Sequence, residues 1–135
     1  GDIELAQQLY QQAPDLKTQP ILLNNLAYLL LSTQPDAALN YASLAYQLLP
    51  QHPQIIDTYG WALTLAGKPA QALGVLRDAE IRAPDHQLVQ LHIAETLRQL
   101  NRHAEAKTLL QKIQSKVLLP EEQQLAAQIN AALNL

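Results

Sequence analysis

Residues 59–73, YGWALTLAGKPAQAL, settle what kind of fold this chain adopts. The alanines and leucines read as good helix, yet the stretch holds Gly60 and Gly67, and Pro69 follows close behind. A glycine inside a helix costs roughly 1 kcal/mol relative to alanine, so each needs a reason. Gly67 followed by Lys68-Pro69 reads as a stop and a restart. Glycine tolerates the left-handed backbone that ends helices, and proline fits a first helical turn, where its missing N–H would be unpaired anyway. Gly60 shares a helix face with Ile56, Tyr59 and Leu63, so its missing side chain reads as room for a partner helix carrying Ala72 and Ala79. Two packed helices joined by a tight turn are expected.

Beyond that stretch the chain repeats itself. Shifted by 34 residues, Ala38, Ala72 and Ala106 coincide, as do Leu29, Leu63 and Leu97, Ala45 and Ala79, and Pro50 and Pro84. Fixed self-similarity of this length marks a repeat architecture. Apolar periodicity places first helices over 21–32, 54–66 and 87–100, and second helices over 36–49, 69–83 and 103–115. Pro35, Pro69 and Pro120 sit at first-turn positions. Thr33, Gly67 and Asn101 occupy the equivalent turn, and Thr33 is the poor fit there.

These registers resemble the tetratricopeptide repeat. The middle unit carries the pattern in Tyr59, Gly60, Leu63, Ala72, Leu76, Ala79 and Pro84. The last matches through Ile93, Ala94, Leu97, Ala106 and Leu110, but has Ile113 and Leu118 where alanine and proline are usual. The first matches through Leu29, Ala38, Ala45 and Pro50; Asn25 and Leu26 replace the usual pair, which predicts looser packing of that helix pair. The resemblance implies an all-α, right-handed helical-repeat solenoid of about eight helices. Its units would be a truncated second helix at 1–14, repeats at 19–52, 53–86 and 87–118, and a capping helix at 119–135. The last of these, PEEQQLAAQINAAL, has acids in its first turn and an apolar stripe of Leu125, Ile129 and Leu133. The absence of Met predicts a fragment of a longer protein, with Gly1 a cloning remnant.

Composition agrees with this reading. Of 135 residues, 48% are hydrophobic and only 4% aromatic, so leucine and alanine carry the packing. No apolar run reaches the ~18 to 20 residues of a membrane span, and no signal peptide is visible, so no direct insertion in a membrane is expected. Zero cysteines exclude disulfides and thiolate chemistry. The net charge of −3 speaks against a nucleic-acid partner. Arg77, Arg82, Arg98, Arg102, Lys107 and Lys112 are interleaved with Asp78, Glu80 and Glu105, which reads as a solvated face of mixed charge.

Catalytic constellations are not legible. His52 and His86 fall in inter-repeat loops. His92 and Glu95 are three residues apart on one helix, too few ligands for zinc, and read as a surface pair. No cofactor, metal or enzymatic activity is expected.

Binding remains. The resemblance implies that first helices line a concave groove. Trp61 lies about 200° round its helix from Tyr59 at ~100° per residue, beside Asp57, Thr64 and Leu65. Trp61 is therefore the leading contact residue for a protein or peptide partner; the competing reading packs it against neighbouring first helices. Shifts of 34 extend the groove to Leu23, Ala27, Leu30 and Leu31 on one side and to Leu91, Glu95, Arg98 and Gln99 on the other. It would grade from apolar to charged. Should the apolar strip instead face a missing upstream helix, the chain would self-associate through that end. The phrases Asn-Asn-Leu-Ala (24–27) and Tyr-Gly-Trp-Ala (59–62) further resemble the closing repeats of bacterial exported tetratricopeptide proteins, among them lipoproteins of exopolysaccharide secretion and envelope protein sorting. That likeness implies a periplasmic or membrane-associated scaffold.

Overall fold

Among the described residues, prolines open five of the seven helices. The computed structural model describes residues 4, 7, 8, 11, 12, 15–114 and 118–134. Among these, seven α-helices follow one another: α1 (Pro20–Leu30), α2 (Pro35–Leu48), α3 (Pro53–Leu65), α4 (Pro69–Arg82), α5 (Gln87–Gln99), α6 (His103–Gln114) and α7 (Pro120–Leu133). A single 3-10 turn, Leu16–Thr18, precedes α1. Pro20, Pro35, Pro53, Pro69 and Pro120 all lie at helix starts, so the sequence reading missed two of them. The helix expected over 1–14 lies largely outside the described residues; within them, the Gln12 N–H donates to the Gln8 carbonyl at 3.0 Å.

The turns follow two chemistries. Gly67 has φ 81° and Asn101 φ 61°. After Gly67 the Lys68 N–H reaches the Leu63 carbonyl at 2.9 Å, and after Asn101 the Arg102 N–H reaches Leu97 at 2.9 Å. Each left-handed residue thus closes a Schellman cap and satisfies carbonyls the helix leaves bare. The turn at Thr33 works differently: no positive φ occurs there, and the Gln34 N–H closes it onto the Leu30 carbonyl at 2.8 Å. Helix α7 is anchored at its start by the Glu122 carboxylate, which accepts from the Leu119 N–H at 2.8 Å.

Buried side chains on the second helices recur at one spacing: Ala38, Ala42 and Ala45; Ala72, Leu76 and Ala79; Ala106, Leu110 and Ile113. Gly60 stands opposite the middle position of its pair, and Leu26 and Ala94 hold the equivalent places one repeat before and after it, in the same apolar clusters as Ala42 and Leu110. A Cβ added at Gly60 would lie 2.6 Å from both Cγ and Cδ2 of Leu76. The close neighbour of Gly60 is therefore Leu76, not the flanking alanines Ala72 and Ala79 that the sequence suggested. In the first pair the volumes are exchanged, with Leu26 fully buried in the same cluster as Ala42. Large against small fills the interface either way, so the looser packing expected at Leu26 does not occur.

Helices α1, α3, α5 and α7 contact one another in sequence and form an inner wall; α2, α4 and α6 pack behind them, each between two inner helices. One apolar cluster runs from Ile56 through Leu76, Ile93 and Leu110 to Ile129 and Leu133. Leu118 and Leu125 pack against its edge.

Candidate peptide-binding groove

Four depressions line the inner wall, and two aromatic rings join them. Asn24, Asn25, Tyr28, Leu29 and Gln54 surround the first. Tyr28 also borders a second cleft of about 450 Å³ with His52, Gln54, Asp57, His86 and Leu88. It borders a third, of about 550 Å³, with Leu31, Ser32, Trp61, Leu65 and His92. Trp61 and Leu65 continue into the fourth, closed by Glu95 and Arg98 of α5 and Leu125, Gln128 and Ala132 of α7. A surface shared by α1, α3, α5 and α7 results, with Tyr28 and Trp61 at its joints.

Polar contacts between inner helices hold this floor in place. The Trp61 ring stacks on His92, with centroids 4.2 Å apart and planes 13° off parallel. Behind the imidazole, Nδ1 lies 2.8 Å from the Asp57 carboxylate. A carboxylate only accepts, so Nδ1 carries the proton and the ring is fixed in one orientation. One turn further along, the Thr64 and Thr96 hydroxyls meet at 2.7 Å. Each hydroxyl also faces a carbonyl one turn back in its own helix, Thr96 that of His92 at 2.7 Å and Thr64 that of Gly60 at 3.2 Å. Glu95 is gripped by Arg98 through Nε at 2.6 Å and Nη2 at 2.9 Å, and accepts from the Gln99 amide as well. That pairing raises the Arg98 pKa above its ordinary value.

The residues expected in the groove divide cleanly. Trp61, Leu65, Leu31, Glu95, Arg98 and Asp57 border its depressions. Leu23, Ala27, Leu30 and Leu91 are closed into the core, and Thr64 is spent on Thr96, so these five present no surface to a partner. His92 is a correction too: it is buried against Asp57 and Trp61, not part of a surface pair with Glu95. Tyr28, half exposed, was missed, and so was the contribution of Leu125 and Gln128 from α7. An exact shift of 34 placed Ala27 beside Trp61. Ala27 is instead fully buried, and the contacts formed between inner helices join residues 35 apart (Asp57 and His92) and 32 apart (Thr64 and Thr96).

Electrostatics single out Tyr28. Burial, followed by the carboxylates of Glu121 and Asp57, raises its pKa above the ordinary 10.0, so the phenol remains a hydrogen-bond donor. Among the described residues no three histidine, aspartate or glutamate side chains converge as a metal site would require. Among the same residues no helix is long and apolar enough to cross a membrane. What this floor can do chemically is bury aromatic and aliphatic side chains and offer hydrogen bonds to a bound chain.

Comparison with known proteins places the architecture. No curated protein sequence matches the chain. Among solved structures it is similar to a thermophilic TPR protein from Thermus thermophilus, with a TM-score of 0.76 and 20% identity over 96% of this chain and 72% of that one. Residues 63–129 match the family model of the tetratricopeptide repeat. The all-α fold, its 34-residue register and these two matches agree: the chain belongs to the tetratricopeptide-repeat family.

Proposed function

We propose that this chain is a non-catalytic scaffold that holds an extended or helical segment of a partner protein in its inner groove. The continuity of the four depressions through Tyr28 and Trp61 carries the reading. Both rings offer apolar area with a polar tip, which is the chemistry of interface anchors. The fold is consistent with such a role, and repeat proteins of this family are generally non-catalytic. An immobilised chain is compared with its Tyr28→Ala and Trp61→Ala variants in retaining proteins from cell extract. A partner kept by the parent and lost from both variants, with helicity unchanged by circular dichroism, is the expected result. Equal retention by all three would move the interface to the outer helices or the ends. No retention by any would favour a structural spacer.

A further inference from the structure

A groove of this shape leaves the character of the bound segment open, and the charges around Tyr28 and Trp61 narrow it. Asp57 and Glu95 border the depressions, and Asp57 and Glu121 both act on the Tyr28 phenol. Among the described residues Arg98 is the one cation bordering the groove, and Glu95 takes it up in a bidentate pair. Arg77, Arg82, Lys107 and Lys112 belong to the outer helices α4 and α6. Among the described residues the two rings thus lie among more carboxylates (Asp57, Glu95 and Glu121) than cations (Arg98), with Asp57 hydrogen-bonded to His92 and Glu95 paired with Arg98.

Amide side chains gather at the same end of the groove. Asn24 is 4% exposed, and its Oδ1 is buried with no partner among the described residues, at the end of the groove next to Tyr28. Asn25 and Gln54 add amide oxygens beside it. The amide oxygens of Asn25 and Gln54 can accept from a bound cation, beside amide N–H groups that donate. An arginine side chain brings five N–H donors and no acceptor, and a lysine three.

We propose, building on the groove reading, that the occupant is a basic segment: an extended stretch of a partner whose arginine or lysine lies between Tyr28 and Trp61, next to Asp57. The cation is attracted to the faces of the two rings and to the neighbouring carboxylates, which also steer its approach. Apolar residues flanking it would rest on Leu31 and Leu65. An acidic segment meets no unspent cation here and is disfavoured by like charge.

Panning a random dodecapeptide phage library on the parent chain tests this, with parallel panning on Trp61→Ala and Tyr28→Ala. Selected sequences should be enriched in arginine or lysine beside apolar residues and be lost on both variants. A synthetic selected peptide should bind about tenfold more weakly when its basic residue becomes glutamine, a change of one decade in Kd. The exposed Glu121→Gln substitution should weaken the same peptide, and added salt should narrow the gap between parent and variant. Enrichment in acidic or uncharged sequences that still need Trp61 would overturn the basic occupant and leave the groove reading standing. Sequences selected equally on parent and variants, or no enrichment at all, would overturn the groove reading and this proposal with it.

Discussion

At the scale of single residues, Gly60 shows how one missing side chain organises a helix pair. Leu76 fills the space a Cβ would need. Gly60→Leu should therefore overpack the α3–α4 interface and cost about 1–3 kcal/mol, read from the urea midpoint. Adding Leu76→Ala in that background copies the Leu26 and Ala42 arrangement of the first pair and should recover at least half of the loss. Strict additivity of the two changes would show that Leu76 is not the residue displaced. The need for a small residue at position 60 was legible in the sequence. Its partner was not, because periodicity defines a helix face and leaves open which residue on the opposing face comes nearest.

At the scale of elements, the turns divide by backbone handedness. No atom lies within 4 Å of a Cβ built on Gly67, so Gly67→Ala is opposed by its φ of 81° alone. About 1–2 kcal/mol should be lost, the usual strain of a left-handed alanine. Asn101→Ala should lose a similar amount, since its φ is 61°. Thr33→Gly should gain nothing, because the first turn contains no left-handed residue for glycine to relieve. Denaturant midpoints of the three variants check the set; a stabilised Thr33→Gly would contradict the Gln34-to-Leu30 closure of that turn. Helix starts were legible from proline, whose fixed φ acts locally.

At the scale of the whole molecule, Tyr28 of α1, Asp57 of α3 and Glu121 of α7 come from helices far apart in sequence, yet act on one phenol. The folded chain holds this proton more tightly than the unfolded chain does. Stability from it is thus complete below pH 10 and falls as pH rises through the higher folded value. Glu121→Gln removes a neighbouring negative charge, so Tyr28 should ionise at lower pH in that variant. Tyrosine Cζ carbon shifts followed by NMR would show this, and an unchanged titration would place α7 away from α1. The same convergence builds the groove, since Trp61 borders one depression together with Leu125 and Gln128 of α7.

The all-α repeat, its helix starts and its left-handed turns could all be read before any fold was in view. Each depends on interactions a few residues long: an apolar period, a proline ring, a glycine without Cβ. Trp61 could be placed on the inner side in the same way, since angular position around one helix follows from counting residues. Which residues line the groove emerged with the packed chain alone. Leu23, Ala27 and Leu30 vanish into the core while Tyr28 emerges, and His92 turns inward to Asp57 and Trp61. Those choices depend on how the helices of successive repeats pack together, which the 34-residue period along the chain does not prescribe. That packing is set by how large and small side chains interlock across helices, a property of the packed interior and not of any one segment.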